Sequence, residues 1–495
     1  METPLMIRYS TKFPAIVVGM ALLVLSLQIG TAQTIAEQID SLMWKYQEYG
    51  QFNGSVLVAD HGKVIFKKGY GLANMEWGIP NEPDTKFRLG SITKQFTSML
   101  IIHLVQQGTL KLDGKITDYL PDYPKETGDS ITIHQLLTHT SGIPGYTEMR
   151  GFFRDMSRDR STPTEFVKFF ADSALLFEPG AQWSYSNSGY FLLGVIIEKV
   201  TGKPYEQVLQ ENIFDPLGMK NTGFDHHETI LAKRASGYER GGAGVINAPY
   251  LDMSLPYSAG SLYSTVEDLF VWDQALYTDK LLSKEFKALL FKPHFPTRGM
   301  AYGYGWMVGK LAVGRSSDSV DVITHGGGIN GFNTLICRFP EDRSLVVLLN
   351  NTGGTRLGDM NRAIIGILHH RPYDGPKKSL AESLAEALVK NGIAAGLQFY
   401  RDAKTNHSEM YRLQEREMNN AGYQLMQAGK MKEAIVVFKL NVEEYPESSN
   451  VYDSLGEAYM TNGDTELAIK NYEQSVKMDP KNDNGVEMLK KLKKQ

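Results

Sequence analysis

Ser91 and Lys94 form a Ser-x-x-Lys motif whose residue types could carry nucleophilic chemistry. The motif follows a strand-to-turn stretch, 87–90, and opens a predicted helix that runs through Leu104. Residues three apart share one face of a helix, so the Lys94 amine can reach the Ser91 hydroxyl. Burial and the positive end of the helix dipole would both disfavour the ammonium, and an uncharged amine can remove the serine proton. The helix start would also offer N–H groups to an oxyanion, although a serine that merely caps a helix gives the same pattern.

Tyr185-Ser186-Asn187 is a second polar segment, in a loop just before a predicted helix at 191–200. In a functional interpretation, the Tyr185 phenol lies beside Lys94 and relays protons, and Asn187 exchanges hydrogen bonds with a substrate amide. In a structural interpretation, the segment is a helix cap with a packed tyrosine. Both interpretations place the segment at the N-terminus of a helix.

His325-Gly326-Gly327-Gly328 is a third segment, between two predicted strands. Glycine inside a strand pattern usually marks a bulge or the close approach of another backbone or a ligand. A substrate that lies along a sheet edge requires such an approach. An ordinary glycine-rich turn is the alternative.

Together the three segments resemble the motifs of the serine β-lactamase and penicillin-binding-protein family. The resemblance is greatest to the class C β-lactamase-like branch, which includes D-amino-acid peptidases and esterases. That branch carries Ser-x-x-Lys, Tyr-x-Asn and His-x-Gly, matched here at 91–94, 185–187 and 325–327. The resemblance covers about residues 35–370, and further stretches that fit the branch are 136–143, 258–265 and 302–306.

The resemblance implies an α+β fold, with an antiparallel sheet flanked by helices, an all-helical lobe, and a site between them. It implies that Ser91 is the acylated nucleophile and Lys94 its base, while Tyr185 passes the proton to the leaving group. The implied reaction is cleavage of an ester or amide through an acyl-enzyme. We interpret His139 as a structural loop residue rather than a catalytic one.

Substrate binding is implied for Asn187, His325 and Gly327, and the N–H groups of Ser91 and Gly328 would form the oxyanion hole. The chain departs from β-lactamases proper at His325, where those enzymes carry lysine. An imidazole with an ordinary pKa is mostly neutral at pH 7 and binds a substrate carboxylate less firmly than lysine does. The departure favours an esterase or a D-amino-acid peptidase-like activity, with β-lactam hydrolysis weak at most.

Strand and helix patterns indicate which elements position these residues. Apolar residues at helical spacing predict a helix over 34–49, and alternation around His61-Gly62 predicts a hairpin over 54–70. Later strands, followed by a helix over 361–370, are predicted at 305–313, 320–324, 332–339 and 344–350. Strands at both ends with helices between them predict one antiparallel sheet, closed from the two termini and covered by helices.

A repeat of 34 residues follows Pro372, where the strand signals vanish. Gly422, Gly429, Ala434, Phe438 and Pro446 recur one period later as Gly456, Gly463, Ala468, Tyr472 and Pro480. This period is the tetratricopeptide signature, in which small residues let two helices pack closely and aromatic residues fill the groove between them. Clear repeats span about 417–446 and 450–480. A divergent first repeat is expected near 391–400, because about three repeats are needed for stability, and a solvent-facing capping helix is expected at 488–494.

The N-terminus has the features of a signal peptide. Arg8 and Lys12 precede an apolar run at 15–29, and small residues follow it up to a cleavage site after Ala32. The run is shorter than the roughly 20 residues that a spanning helix needs. We therefore expect a periplasmic or secreted protein without a membrane span; an uncleaved membrane anchor is the alternative. The expected divisions are a signal peptide at 1–32, a hydrolase domain at 33–372, a linker at 373–384 and a tetratricopeptide-like helical solenoid at 385–495.

Composition excludes several other functions. The chain has 495 residues, 42% hydrophobic and 22% charged, which excludes a disordered or disulfide-stapled protein. With 52 Lys and Arg against 56 Asp and Glu, its net charge of −4 offers no field to attract nucleic acid. The single cysteine, Cys337, excludes an internal disulfide and a Cys-based zinc site, and no metal or cofactor is implied.

The expected partners are a small-molecule or peptide substrate and, through the repeats, a protein partner or a second copy of the chain. Two alternatives to a hydrolase that turns over remain open. The repeats could make the chain a peptide-binding scaffold. The first domain could instead be a penicillin-binding sensor that is acylated and does not deacylate.

Overall fold

The computed structural model describes residues 33–241, 244–297 and 299–493. The predicted signal peptide at 1–32 lies outside the described residues. The described chain has an α/β part that ends with the helix Leu357–Leu368 and a mainly helical part that follows it. Within these ranges, no helix has both the length and the apolar character that crossing a membrane requires.

One antiparallel sheet of eight strands forms the centre of the α/β part. The hairpin predicted around His61-Gly62 is present, and both residues have the positive φ (50° and 74°) that a tight hairpin turn requires. The first strand of this hairpin pairs with Ser344–Asn350, the sheet strand that comes last in the chain, and Gly54 lies opposite Asn350. The two ends of this part therefore close one sheet, as predicted. In spatial order the strands are Phe295–Pro296, Met300–Tyr302, Met307–Ala312, Ser319–Ile329, Phe332–Phe339, Ser344–Asn350, Gly54–Asp60 and Lys63–Tyr70.

Helices cover both faces of this sheet. On one face, Val56 and Val58 join a core with the helices Ile35–Glu48 and Leu357–Leu368. On the other face, Leu57, the residue between them, joins the larger core of the helical lobe. Alternate side chains of one strand enter two cores because successive residues of a strand point to opposite faces.

The helical lobe lies in the chain between the N-terminal hairpin and the later strands. Its longest helices, Thr93–Gln106 and Asn187–Thr201, are buried along most of their length. The shorter helices and helical turns are Gly90–Ile92, Ile116–Tyr119, Lys125–Gly128, Ile133–Leu137, Tyr146–Glu148, Phe152–Met156, Pro163–Val167, Tyr205–Leu209, Gln210–Phe214, Asp215–Leu217, Tyr257–Gly260, Val266–Ala275 and Lys284–Phe291. Short strands outside the main sheet are Leu72–Asn74, Ile79–Pro80, Phe87–Arg88, Gly223–Phe224, Tyr238–Gly241, Gly244–Asn247 and Leu262–Ser264.

The C-terminal part packs its helices at the glycines that the repeat pattern singles out. A Cβ atom on Gly422 would lie 2.5 Å from the Phe438 ring, and one on Gly456 would lie 3.2 Å from the Tyr472 ring. Glycine therefore lets each helix pair approach closely, which confirms the predicted tetratricopeptide packing. The helices are Leu380–Asn391, Ile393–Asn406, Glu415–Gln427, Met431–Glu444, Ser449–Asn462, Thr465–Met478 and Asp483–Leu492.

The linker predicted at 373–384 differs from the structure. The helix Leu380–Asn391 begins inside it, because the Ser379 side chain accepts a hydrogen bond from the Glu382 backbone and caps the helix there. The irregular connection between the two parts is therefore shorter than expected.

Other details of the C-terminal part also differ from expectation. Strand pairing persists in this part, since Lys378–Ser379 pairs in parallel with Tyr411–Arg412. The region expected to hold a divergent first repeat contains two helices joined at Gly392, a pair that is compatible with that expectation. The terminal helix Asp483–Leu492 begins before the predicted 488–494, and its apolar residues pack against the repeats.

Candidate active site

Ser91 lies in a tight turn that leads into a buried helix. The turn Gly90–Ile92 continues directly into the helix Thr93–Gln106, so Ser91 stands at the N-terminal end as predicted. Gly90 has a φ of +55°, and a Cβ atom there would lie 2.9 Å from the Gly328 nitrogen. The turn therefore requires glycine, and it brings the backbone next to Ser91 close to Gly328, the other predicted oxyanion donor.

Lys94 is completely buried one helical turn after Ser91. Its Nζ lies 3.1 Å from Ser91 Oγ, 2.8 Å from Asn187 Oδ1 and 2.8 Å from the Ala259 carbonyl oxygen. The amide oxygen and the carbonyl oxygen can only accept, so each takes an N–H of the amine. The lone pair of an uncharged amine is then left for the Ser91 hydroxyl proton. Burial favours this uncharged form, because desolvation holds the pKa of Lys94 well below its ordinary value.

The second motif lies where the helix Asn187–Thr201 begins, and its members have different roles. Ser186 caps the helix, because its side chain accepts a hydrogen bond from a backbone N–H three residues later. Tyr185 instead lies beside the predicted base: its ring centroid is 4.8 Å from Lys94 Nζ. Burial raises the pKa of Tyr185, so the side chain stays a phenol, which can both donate and accept a proton.

Two residues at the site carry no chemical motif in the sequence. Thr147 Oγ1 accepts a hydrogen bond from Asn187 Nδ2 at 3.0 Å, which turns the amide oxygen toward Lys94. Ala259 contributes only its backbone carbonyl, from the short helix Tyr257–Gly260. Ala259 falls in the 258–265 stretch that fits the family pattern, whereas no sequence signal marks Thr147.

His139 forms part of the wall behind Tyr185. It is buried and has a φ of 59°, an uncommon backbone conformation for a residue other than glycine. Its Nδ1 accepts a hydrogen bond from the Ser186 backbone at 3.1 Å, and its ring centroid lies 4.3 Å from that of Tyr185. The sequence interpretation of His139 as structural matches these contacts, but they also make it a positioning residue for the second motif.

The glycine motif lies inside one strand, Ser319–Ile329, and not between two strands as predicted. The strand Phe332–Phe339 pairs with it along the glycines, whose backbone N–H and C=O groups are available for hydrogen bonds between the two strands. A Cβ atom on Gly327 would lie 1.9 Å from the Leu89 carbonyl oxygen. The close-approach interpretation is therefore correct, and the approaching backbone is the segment just before Ser91.

One edge of this strand lies unpaired beside the nucleophile. Pairing with Met307–Ala312 ends at Thr324, so among the described residues 325–329 have a strand partner on one side only. An extended substrate can add to such an edge as a further strand, held by backbone hydrogen bonds. The glycine motif thus leaves a free strand edge next to Ser91, to which such a substrate can add.

His325 is buried and uncharged at the start of this edge. Its Nδ1 lies 2.6 Å from the Gly326 carbonyl oxygen and its Nε2 lies 3.0 Å from the Tyr302 hydroxyl. Nδ1 therefore carries the proton, and Nε2 accepts from Tyr302. Burial, as the main cause, lowers the pKa of His325 to about 4, and Lys94 acts in the same direction when it is charged. The imidazole is thus neutral over a wider pH range than an ordinary pKa implies.

The arrangement brings together groups that can act as a nucleophile, a base, a proton relay and oxyanion donors. Lys94 contacts Ser91, Asn187 and the Tyr185 ring, and Gly328 lies beside the turn that holds Ser91. Across the described ranges there is no group of three or more His, Cys, Asp or Glu residues that could hold a metal ion.

Comparison with known proteins identifies the family of each part. Residues 33–369 match the family model described as Beta-lactamase, and residues 449–482 match the model described as Tetratricopeptide repeat. Penicillin-binding protein 4* of Bacillus subtilis (strain 168) is 30% identical over 370 residues, which cover 70% of this chain and 79% of that protein.

Two solved structures are similar in fold as well as in sequence. The penicillin binding protein from Bacillus halodurans is 27% identical with a TM-score of 0.58, covering 66% of this chain and 98% of that one. The D-amino acid amidase from Ochrobactrum anthropi SV3 is 28% identical with a TM-score of 0.58, covering 68% and 97%. This chain belongs to the β-lactamase family, as a serine hydrolase with tetratricopeptide repeats at its C-terminal end.

Proposed function

We propose that this chain cleaves an ester or amide through an acyl-enzyme formed on Ser91. The observation that carries the proposal is the position of the Lys94 amine. Its two N–H groups are taken by Asn187 Oδ1 and the Ala259 carbonyl, each at 2.8 Å, while Ser91 Oγ lies at 3.1 Å. The uncharged amine therefore directs its lone pair at the one neighbour that has a proton to give.

The reaction begins when Lys94 takes the hydroxyl proton and Ser91 Oγ bonds to the substrate carbonyl carbon. The carbonyl oxygen becomes an oxyanion, which the N–H groups of Ser91 and Gly328 stabilise; such donors typically contribute about 3 kcal/mol each. The proton then passes from Lys94 through the Tyr185 phenol to the leaving oxygen or nitrogen, and the bond to that atom breaks. Water attacks the acyl group in the second half, returning a proton to Ser91 and releasing the acid.

We propose an esterase or D-amino-acid peptidase-like specificity, with weak β-lactam hydrolysis at most. The free edge at 325–329 suits an extended acyl group, and the neutral imidazole of His325 gives no charge to hold a substrate carboxylate. Similarity to the Ochrobactrum anthropi D-amino acid amidase supports an amide substrate. A panel of p-nitrophenyl esters, D-alanyl peptides and nitrocefin would rank the three classes.

A fluorophosphonate probe tests the nucleophile directly. We expect it to label the native chain and to leave Ser91→Ala unlabelled and inactive. Ser98, buried on the same helix, provides a matched control, since Ser98→Ala should still be labelled. Turnover that survives in Ser91→Ala would reject the assignment.

A penicillin-binding sensor is the second candidate function, because two similar proteins carry the name penicillin-binding protein. Such a sensor is acylated by a β-lactam but releases the product too slowly to turn over. Rapid-mixing kinetics separate the two functions. A burst of one equivalent without further product supports the sensor, and steady turnover supports the hydrolase.

For the repeats, we propose binding of a peptide segment of a partner protein or of a second copy of this chain. The support is the match of residues 449–482 to the tetratricopeptide family, whose stacked helices form extended binding surfaces. Light scattering over a range of protein concentrations tests self-association. A mass that stays monomeric throughout leaves the peptide partner as the proposal.

We also propose that the protein is exported. The support is the sequence pattern of Arg8 and Lys12 before an apolar run and Ala32, together with a family match that begins at residue 33. Mass spectrometry of protein recovered from a bacterial periplasm tests this. An N-terminus at Gln33 supports cleavage, whereas an intact Met1 in the membrane fraction supports an uncleaved anchor.

A further inference from the structure

A cavity of about 720 Å³ lies between the hydrolase part and the repeats, away from Ser91. One wall is formed around the helix Leu357–Leu368, and the opposite wall includes the start of the helix Glu415–Gln427. The volume falls in the range of about 300–1,000 Å³ typical of small-molecule sites, which occur preferentially at domain interfaces. Its basic lining residues are Arg240, Arg356, Arg362, Lys377, Arg412 and Arg416.

Most acidic groups of the cavity already have a basic partner. The Glu417 carboxylate lies 2.7 Å from Arg412 Nε and 3.4 Å from Arg356 Nη1. Asp359 lies 3.1 Å from Arg356 Nε. Of the other two acidic lining residues, Asp374 pairs with Arg315 outside the cavity, and Glu382 has no ion pair among the described residues.

Several of the basic groups, in contrast, have no acidic partner. Arg362 on one wall and Arg416 on the other form no ion pair within the part of the chain that the structure describes. Arg240 and Lys377 donate only to backbone carbonyl oxygens, those of Gly50 and Ser408. After pairing, the cavity therefore keeps an excess of positive charge on both walls.

We propose that this cavity binds a small organic anion carrying two or more phosphate or carboxylate groups. Guanidinium groups bind both kinds of anion through paired N–H donors in a fork geometry. Arg362 lies on a helix of the hydrolase part and Arg416 on a helix of the repeats, so an anion with two acidic groups can contact both parts at once. A single inorganic phosphate would fill only a small part of the volume. None of the lining residues belongs to the three catalytic motifs.

Calorimetric titration of the full chain with pyrophosphate and with citrate tests the site. The first probe offers phosphate groups and the second carboxylates, so the two titrations distinguish the source of the acidic groups. We expect saturable binding of at least one probe with one site per chain, weakened by added salt. The double variant Arg362→Gln, Arg416→Gln should weaken this binding about tenfold or more, since it removes two charge-assisted contacts.

Arg401→Gln is the matched control, because Arg401 is an exposed arginine of the repeats that does not line the cavity. It should bind the probe as the native chain does. Arg416→Gln alone serves if the double variant unfolds, since Arg416 is exposed and holds no ion pair in the described chain. The proposal is overturned if neither probe binds saturably, or if the cavity variants bind as tightly as the control. These titrations measure no hydrolysis, so their outcome is independent of the proposed reaction.

Discussion

Asn187 orients Lys94 and is itself oriented by Thr147. The amide oxygen of Asn187 accepts from Lys94 Nζ at 2.8 Å, and the amide nitrogen donates to Thr147 Oγ1 at 3.0 Å. Reversing the amide would turn its NH₂ group toward Lys94, and the lysine N–H would lose its acceptor. The direction of the Lys94 lone pair thus depends on a threonine that has no contact with the nucleophile.

We expect Asn187→Asp to charge the Lys94 amine, which burial keeps neutral in the native chain. A carboxylate beside Lys94 favours the ammonium form, so the pKa of Lys94 rises. At neutral pH, kcat/KM for a p-nitrophenyl ester should fall by about 100-fold or more, and its dependence on pH should move to higher pH. Thr147→Val is the control without added charge. It should lower kcat/KM less, and the position of the pH profile should stay where it is in the native chain. A profile that Asn187→Asp leaves in place would contradict this role.

The native enzyme should lose activity as pH falls through the lowered pKa of Lys94. The base must be uncharged to take the Ser91 proton, so kcat/KM rises with pH until Lys94 is deprotonated. His325 should not contribute to this loss of activity at low pH, because its pKa of about 4 keeps the imidazole neutral over the pH range of the measurement. The measurement is kcat/KM between about pH 5 and about pH 9 for the native chain and for His325→Gln. If kcat/KM rises at a different pH in His325→Gln than in the native chain, the titrating group is His325 and not Lys94.

His325 should also make stability fall in mild acid. An unfolded imidazole takes up its proton near pH 6.5, whereas the folded one, with a pKa of about 4, does not. The folded state therefore loses stability as pH falls through this window, by a few kcal/mol at most, on the order of 1.4 per pKa unit. Denaturant unfolding of the native chain and of His325→Gln measures this, and the difference between their stabilities should shrink toward pH 4. A constant difference would show that His325 titrates normally.

His139→Ala should damage catalysis through the second motif. The change leaves the buried Ser186 N–H without its acceptor, at a cost of about 1–3 kcal/mol, and removes the ring that packs on Tyr185. We expect kcat to fall about tenfold or more. The pH at which activity rises, as Lys94 loses its proton, should change little. His139→Asn, which tolerates the positive φ, should recover stability more than kcat. A loss of stability with full kcat in the folded enzyme would reduce His139 to a structural role.

Gly327→Ala should disrupt the site, while Gly326→Ala should not. A Cβ atom on Gly327 would lie 1.9 Å from the Leu89 carbonyl oxygen, so the strand and the Ser91 turn must separate. On Gly326 the nearest atom, the Thr334 carbonyl oxygen, is 3.6 Å away, an ordinary contact. We expect the first variant to lose nearly all hydrolysis and fluorophosphonate labelling, and the second to keep both. Equal activities would show that the strand can shift without harm.

Local geometry explains which parts of the site could be predicted from sequence. Ser91 and Lys94 share one helical turn, so their contact follows from spacing alone. The position of Tyr185 depends on packing between two helices, and the sequence left a cap and a proton relay as alternatives. In the structure Ser186 is the cap, and Tyr185 lies beside Lys94. The Ala259 carbonyl could not be predicted, because a backbone oxygen has no side-chain signature.

The sequence wrongly predicts that the glycine motif lies between two strands, and this error has a similar physical origin. Three successive glycines suggest a turn because glycine weakens an isolated strand. Inside a sheet, the neighbouring strand Phe332–Phe339 supplies hydrogen bonds that hold the glycine backbone extended. Long-range pairing of this kind is not visible in a short stretch of sequence. The period of the repeats, in contrast, is a local pattern and predicted the glycine–aromatic packing correctly.

The Ala259 carbonyl gives the enzyme a component that point substitution cannot delete. Any amino acid at 259 keeps the same oxygen, and only a bulkier side chain in this buried place would displace it. In a library of random variants, tolerance at 259 should follow side-chain volume, whereas tolerance at 187 should follow the chemical nature of the group. One of the two acceptors that orient the Lys94 amine is thus a main-chain atom, which every amino acid at position 259 carries.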